Sequence, residues 1–218
     1  LRNANPEYEF IPAEVLRFHG VSKDDPVPEW LQKDASLVNL LFSDGEALYG
    51  LNELNGSLYR VDIAQDGATL HGLSQLDFFS DEGQAGLPFV RSGAVCGESL
   101  YLLIGLTDGG SQASLCRFDM VAGARSPVYP QSEVSEIACY RDGHLLLLED
   151  LPNEQWRITD FDPVAENFVP LYDSKELNVA RVHGLLYDPW RDRVLVESGE
   201  ELLALSAGNA CEVAAYLP

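Results

Sequence analysis

Short apolar stretches separated by polar turns recur along the chain at nearly regular intervals. Four segments share one pattern, in which an apolar strand is followed by polar residues and a turn: GSLYRVDIAQDG (56–67), ASLCRFDMVAG (113–123), QWRITDFDPVA (155–165) and EELLALSAGNA (200–210). Aligned on Leu58, Leu115, Ile158 and Leu202, successive copies are 57, 43 and 44 residues apart. Self-similarity at such a period predicts a fold built from structural repeats.

A second shared phrase precedes each of these segments and contains a hairpin signal. Asp-Gly pairs at 44–45 and 142–143 lie between two apolar runs, which is the strongest short-range signal for a β-hairpin. Runs such as SLYLLI and HLLLL are almost entirely apolar, as expected for strands buried on both faces. Pro127 and Pro170 fall in the last strand of their copies, and proline cannot donate to a ladder, so this strand is predicted at a sheet edge.

Each copy therefore divides into four short strands. They are predicted at 36–43, 46–52, 57–63 and 68–75 in the first copy, at 89–95, 98–106, 113–121 and 124–130 in the second, at 134–140, 144–150, 155–161 and 167–173 in the third, and at 180–187, 193–198, 200–206 and 211–217 in the fourth. This pattern leaves few places for a helix of ten or more residues. The segment 30–38 is the one candidate for such a helix, and its sequence is more typical of a linker followed by a strand.

The period, the strand pattern and the prolines of the last strand resemble the β-propeller superfamily over about residues 35–218. The resemblance implies an all-β fold, a propeller or partial propeller with about four four-stranded antiparallel blades. These blades are expected at about 35–80, 87–131, 132–175 and 178–218. The Gly-His…Trp-Asp signature of WD40 blades and the sialidase box do not occur in the sequence.

The amino-terminal part of the sequence gives a narrower resemblance. The phrase YEFIPAEVLRF, the linker after it and the phrase LYRVD are similar to propeller-like regions of secreted lipoproteins of gut Firmicutes. This likeness implies an extracellular or cell-surface protein, and a first residue that is not Met agrees with processing of a longer parent. Residues 1–34 are expected to form an extension with one strand and a linker. That strand could close a ring with the last blade, or the chain could be a fragment of a larger propeller that associates through exposed sheet edges.

The chain is strongly acidic, and this charge limits its partners. It has 35 Asp and Glu against 14 Lys and Arg, a formal net charge of -21. Such a surface repels the phosphates of nucleic acids and of anionic membranes, so we expect no nucleic-acid partner. The longest apolar stretch, near residues 100–106, is much shorter than the roughly 20 residues of a spanning helix, so no direct membrane insertion is expected. The negative charge is expected to keep the chain soluble. Alternatively, it attracts a cationic or calcium-dependent partner.

The four cysteines, Cys96, Cys116, Cys139 and Cys211, are widely spaced and include no C-x-x-C pair. A zinc site is therefore not expected. A chain of 218 residues can bury a hydrophobic core large enough to be stable without disulfide bonds. We therefore expect mostly reduced, buried thiols rather than disulfides.

Three aspartates recur at one position of the repeat and are predicted to be structural. Asp62, Asp119 and Asp162 follow the same strand in successive copies, where a carboxylate can accept backbone N–H groups of the next turn. The loop 76–86 offers Asp77, Asp81 and Glu82 as calcium ligands, but their spacing does not match a calcium loop. A solvated acidic loop is the preferred interpretation. No cofactor and no other metal is predicted, with Ca²⁺ as the alternative.

Loops that join the second and third strands of the blades form one set of candidate binding residues. Asp108, Glu154 and Trp156 lie in or beside these loops, where acidic groups next to an aromatic platform would suit a sugar. The alternative is a polar rim with Trp156 packed at the start of a strand.

Charged residues on the first strands form a second set, because these strands should line the central channel. Arg91, Glu136, Arg181 and His183 could bind a small anion or carry out acid–base chemistry there. Alternatively, these groups neutralise one another around trapped water.

The sequence carries no catalytic signature, neither a phosphate-binding glycine loop nor a nucleophile elbow. The predicted function is a non-catalytic binding or scaffolding module of a secreted or lipid-anchored bacterial protein, with a protein or a carbohydrate as compatible ligand. One alternative is a carbohydrate-active enzyme, which needs two carboxylates about 5–9.5 Å apart in one pocket. The other alternative is a structural fragment of a larger propeller.

Overall fold

The computed structural model describes residues 38–53, 56–64, 67–77, 88–107, 113–179, 181–206 and 210–216. Its strands form four antiparallel sheets, each of four strands in chain order. The first sheet contains β1 (Leu40–Ser43), β2 (Leu48–Asn52), β3 (Ser57–Ala64) and β4 (Gly67–Gln75). The second contains β5 (Pro88–Cys96), β6 (Ser99–Leu106), β7 (Ala113–Asp119) and β8 (Arg125–Ser132). The third contains β9 (Val134–Cys139), β10 (Leu145–Leu151), β11 (Gln155–Asp162) and β12 (Asn167–Asp173). The fourth contains β13 (His183–Asp188), β14 (Arg193–Ser198), β15 (Glu201–Ser206) and β16 (Ala210–Tyr216).

The predicted all-β fold with four four-stranded antiparallel sheets is confirmed. Pro127 and Pro170 lie on β8 and β12, the outermost strands of their sheets, as the missing N–H of proline requires. One short helix was not predicted, α1 (Ser174–Leu177), and it follows Asp173, whose carboxylate accepts the N–H of Lys175 at 2.7 Å. No helix in the described part of the chain is long and apolar enough to cross a membrane.

The chain divides into two compact units. Unit 1 comprises residues 1–78 and 119–124, and unit 2 comprises residues 79–118 and 125–218. The first sheet belongs to unit 1, whereas the other three sheets, apart from the last residue of β7, belong to unit 2. The predicted extension 1–34 lies outside the described residues and stays a prediction.

Unit 1 buries apolar residues on both faces of its sheet. Leu51 on β2 and Leu58 on β3 are paired and buried on one face, and Val61 on β3 is buried on the other. The hydroxyl of Ser74 donates to the carbonyl oxygen of Met120 at 2.8 Å, which fastens β4 to the segment 119–124. These contacts hold the turn after β7 within the same unit as the first sheet.

The third sheet is buried on both faces, and this explains the unbroken leucine run of β10. Leu145 and Leu147 belong to a core cluster with residues of the second sheet, including Tyr101 and Leu115. The alternate residues Leu146 and Leu148 belong to another cluster, with Trp156, Ile158 and residues of the fourth sheet. Because successive side chains of a strand point to opposite faces, a strand whose sheet is covered on both faces is apolar at consecutive positions.

The expectation of mostly reduced cysteines is wrong for one pair. Cys96 at the end of β5 and Cys139 at the end of β9 form a disulfide. These residues are 43 positions apart, which is one repeat, and β5 packs against β9, so equivalent positions of the two strands meet. Cys116, which is buried, and Cys211, which is exposed, are not part of a disulfide.

Candidate functional site

A cavity of about 350 Å³ lies in unit 2, on the face that the third sheet turns towards the fourth. Its wall consists of residues from β9, from the β10–β11 hairpin and from the segment that leads into β13. Five of the seven residues predicted to bind a ligand line it: Glu136, Glu154, Trp156, Arg181 and His183. Asp150, which is not among the predicted binding residues, adds a third carboxylate to the lining.

The strand register explains why these side chains meet. Glu136 on β9 pairs with Leu148 on β10, and Asp150 on β10 pairs with Trp156 on β11. Directly paired residues of an antiparallel sheet project from the same face, and so do residues two positions apart on one strand. Glu136, Leu148, Asp150 and Trp156 therefore share the cavity face, whereas Glu149 points to the other face.

Glu136 is a half-buried carboxyl held by one hydroxyl. Ser92 on β5 donates its Oγ proton to Oε2 of Glu136 at 2.9 Å, and the N–H of Ile137 donates to the same Oγ at 3.1 Å. Burial raises the pKa of Glu136, because the charged form loses hydration, and the hydrogen bond from Ser92 partly opposes this shift. The cavity therefore contains a carboxyl that binds a proton more tightly than a solvated one.

Arg181 and His183 supply the basic groups of the cavity. They flank the buried Val182, so both project to the same side of an extended segment. One Nη of Arg181 donates to Oε1 of Glu154 at 2.5 Å. The side chain of Arg181 is 65% exposed and that of Glu154 is 72% exposed. An ion pair so accessible to water is weak, and a ligand group can easily replace one partner.

The β10–β11 hairpin places Glu154 at the cavity edge through an unusual backbone. Asn153 and Glu154 have φ values of +64° and +58°, in the left-handed region that glycine adopts without strain. Asn tolerates this conformation better than Glu does. Glu154 also lines a neighbouring cavity of about 270 Å³ with Lys175 and Asn178, so it forms part of both walls.

The expectation that Trp156 offers an open aromatic platform is wrong. Its side chain is 3% exposed and packs in the core between the third and fourth sheets. The indole N–H donates to the carbonyl oxygen of Val179 at 2.9 Å, which satisfies its polar atom. Trp156 therefore supports the cavity wall and has no free ring face for stacking, which agrees with the alternative of a Trp packed at a strand start.

Comparison with known proteins identifies the fold but no family. No protein-family model and no curated protein matches the chain. A luciferin-regenerating enzyme is similar at a TM-score of 0.52 and 11% identity, over 84% of this chain and 76% of that one. TolB from Acinetobacter baumannii is similar at a TM-score of 0.54 and 9% identity, over 82% of this chain and 43% of that one. The chain has a β-propeller fold with four four-stranded blades.

These relationships support the fold alone, because both identities are low. The chain spans less than half the length of the TolB structure, and no comparison indicates a particular similarity to lipoproteins of gut Firmicutes. That narrower resemblance stays a prediction. Each of the four sheets is one blade of the propeller.

Of the two remaining predicted binding residues, one does not line this cavity and the other is not described. Arg91 lies at an irregularity of β5, where the pairing with β6 shifts between Val90 and Ser92. It is adjacent in sequence to Ser92 but does not line the cavity. Asp108 lies outside the described residues.

Two of the three repeated aspartates make the same contacts with the turn that follows them. Asp119 and Asp162 each accept the N–H groups of the second and third residues after them, at 2.7–3.0 Å. These donors lower the pKa of Asp162. Asp62 differs, because it pairs with Thr69 inside the β3–β4 ladder and its carboxylate contacts Arg60 and His71 at 3.3 and 3.1 Å. The same turn contacts occur after two aspartates that the sequence analysis did not single out, Asp44 and Asp188.

The calcium hypothesis falls largely outside the described residues. Asp81 and Glu82 are not described, and the N–H of Asp77 donates to the carbonyl oxygen of Gly123. Within the ranges that the structure describes, no three His, Cys, Asp or Glu side chains are grouped to hold a metal ion. Calcium binding by this loop therefore stays a prediction.

Sequence reasoning missed a charged network on the other face of the third blade. Arg157 donates to both oxygens of Glu149, at 2.9 and 3.1 Å, and Thr159 donates to Oε2 at 2.5 Å. The same carboxylate raises the pKa of Arg157. The signal was present in the predicted hairpin, because pairing β10 with β11 places Glu149 directly opposite Arg157.

Proposed function

We propose that the chain is a non-catalytic binding module of a secreted or lipid-anchored bacterial protein, and that the cavity of the third blade holds its ligand. The observation that carries the proposal is the convergence of Glu136, Asp150, Arg181 and His183 on one cavity. Its volume is near the lower end of the range of about 300–1,000 Å³ for small-molecule sites. A few convergent polar groups in a concave site are the usual feature of ligand recognition.

The disulfide supports the extracellular or cell-surface part of the proposal. Cys96 and Cys139 are joined, and structural disulfides persist chiefly in oxidising compartments. The high negative charge is compatible with a protein that works in solution outside the cell. Labelling of intact and of lysed cells with an antibody against this chain would test the location. Accessibility only after lysis would contradict it.

A thermal-shift screen tests the binding proposal. The purified chain would be heated with a library of small polar metabolites and oligosaccharides. A ligand at about 100 times its Kd stabilises a protein by about 2.7 kcal/mol, so a true ligand raises Tm measurably. The expected result is a hit whose effect is lost in the Glu136→Gln, Arg181→Gln double variant. Hits that act equally on the variant, or a screen without hits, would contradict the proposal.

A carbohydrate-active enzyme is the second candidate, and one observation favours it. Glu136 has a raised pKa, as a general acid requires, and shares its cavity with Asp150 and Glu154. The buried Trp156 counts against it, because a sugar would lack its stacking surface. Aryl glycosides of several sugars would be assayed for release of the phenol by the chain and by Glu136→Gln. Turnover that Glu136→Gln abolishes would support the enzyme and remove the non-catalytic proposal.

A further inference from the structure

Apart from Glu154, which pairs with Arg181, the charged groups of the cavity are separated by sign. Arg181 and His183 come from the segment that enters the fourth blade, whereas Glu136 and Asp150 come from β9 and β10 of the third blade. The cavity therefore has a basic wall and an acidic wall, and a ligand that spans it meets both. Electrostatic complementarity of this kind selects a ligand with both charges.

The basic wall has hydrogen-bonding capacity to spare. A guanidinium carries five N–H donors, and Arg181 uses one contact, with Oε1 of Glu154. Both partners of that pair are exposed, so a ligand carboxylate can replace or join Glu154 at little cost. In the described part of the chain, the ring of His183 makes no hydrogen bond or ion pair and adds a second donor beside Arg181.

The acidic wall is likewise incompletely paired. Glu136 accepts one hydrogen bond, from Ser92 to Oε2, and its Oε1 has no donor among the described residues. The carboxylate of Asp150 has no hydrogen bond or ion pair with any described residue. An ammonium group has three N–H donors and can bind both carboxylates at once.

Aromatic stacking does not contribute to recognition here. The ring of Trp156 is buried and its N–H is bonded to Val179, so the ligand is held by charge and hydrogen bonds. A neutral monosaccharide would leave both walls unneutralised. A simple cation would neutralise one wall and be repelled by the other.

We infer that the ligand is a small zwitterion of the free amino-acid class. Its carboxylate binds Arg181 and His183, and its ammonium binds Glu136 and Asp150. The inference rests on the proposed function, since it names the ligand of the same cavity. The cavity volume of about 350 Å³ is large enough for a molecule of this size.

Isothermal titration calorimetry with the common L-amino acids tests this inference. The best ligand would be compared with its decarboxylated amine and with its deaminated acid, each lacking one charge. We expect both analogues to bind about tenfold or more weakly, since each leaves one wall unpaired. Arg181→Gln and Asp150→Asn should each weaken the amino acid to a similar degree. Arg193→Gln, which removes an exposed arginine paired with Glu212, is the matched control and should change nothing.

The outcomes separate this inference from the proposed function. Binding of an uncharged sugar or of a one-charge analogue with unreduced affinity would overturn the zwitterion and leave the binding module intact. An amino acid that binds equally to wild type, Arg181→Gln and Asp150→Asn would overturn the cavity as its site. Absence of binding by every compound of the calorimetric series and of the thermal-shift library would overturn both. Circular dichroism of each variant shows whether it is folded, and the analogue series needs only the wild-type chain.

Discussion

The two faces of the third blade carry glutamates in contrasting surroundings. On one face Glu149 receives a bidentate pair from Arg157 and a hydroxyl proton from Thr159, and its side chain is 16% exposed. On the other face Glu136 receives one hydrogen bond, from Ser92, and its pKa is raised by burial. A carboxylate with all its partners supplied stabilises the fold, whereas a carboxylate short of partners has capacity left for a ligand.

The difference follows from where each residue lies in the sheet. Glu149 is paired with Arg157 inside the β10–β11 ladder, so its partners are fixed by the strand register. Glu136 is on the first strand of the blade, and its one donor comes from β5 of the preceding blade. The cavity face therefore depends on how blades pack together, and the network face depends on one hairpin.

Removing the disulfide should have the largest effect on stability. This disulfide joins β5 and β9, the strands that carry Ser92 and Glu136. The double variant Cys96→Ser, Cys139→Ser frees a loop closed over 43 residues. Its free energy of unfolding should fall by about 4 kcal/mol, measured by urea denaturation. Cys211→Ser, at the exposed thiol, is the control and should leave the midpoint unchanged. Equal midpoints for the double variant and the wild type would show that the cross-link contributes nothing.

Breaking the network on the opposite face should have the next largest effect. Arg157→Gln removes the guanidinium and leaves Glu149, a mostly buried charge, with Thr159 as its remaining partner. We expect a loss of about 2 kcal/mol, less than for a fully buried pair because Arg157 is partly exposed. Thermal denaturation would measure it, and ligand affinity should not change. Arg193→Gln, in an exposed pair with Glu212, should cost less than about 0.5 kcal/mol. Equal losses in the two variants would refute the distinction.

Most of the fold could be predicted from the sequence because the same pattern of strands and turns occurs in four copies. The predicted third-copy strand 167–173 and fourth-copy strand 193–198 agree with β12 and β14 at both ends. Other strand ends differ from the prediction. β1 begins at Leu40 instead of residue 36, and β13 begins at His183 instead of residue 180. A strand ends where its hydrogen bonds end, and that depends on partners that a local pattern does not reveal.

The candidate site was predicted in composition but not in geometry. The sequence singled out Glu136, Arg181 and His183 as first-strand charges, and these do line one cavity. It left open whether Trp156 is an exposed platform or a packed residue, because burial of a strand-start Trp depends on the neighbouring blade. It also missed the disulfide, although Cys96 and Cys139 are one repeat apart. Contacts between successive copies of a repeat could have been anticipated by comparing equivalent positions.

Relaxing the hairpin at the cavity edge should have a smaller effect of opposite sign. Glu154→Gly replaces a side chain at φ +58° by the residue that adopts this conformation without strain. Because the Arg181 pair that it removes is exposed and weak, we expect a gain of about 1 kcal/mol, or about 2–4 °C in Tm. Asn153→Gly should gain less, since Asn tolerates left-handed φ. If Glu154→Gly is less stable than wild type, the ion pair outweighs the strain.

The smallest effect concerns Glu136 and shows itself as a dependence on pH. Its pKa is higher in the folded chain than in the unfolded chain, because burial disfavours the charged form. The folded chain therefore holds the proton more tightly, and stability falls as pH rises from the unfolded pKa through the folded one. The side chain of Gln in Glu136→Gln does not titrate. The stability of this variant relative to the wild type should therefore increase as pH rises through this interval, and the difference should stay constant at higher pH. Ser92→Ala removes the hydrogen bond that lowers the pKa and should extend the interval upward. Urea denaturation of the three proteins over a series of pH values would measure this, and parallel curves would mean that burial does not perturb Glu136.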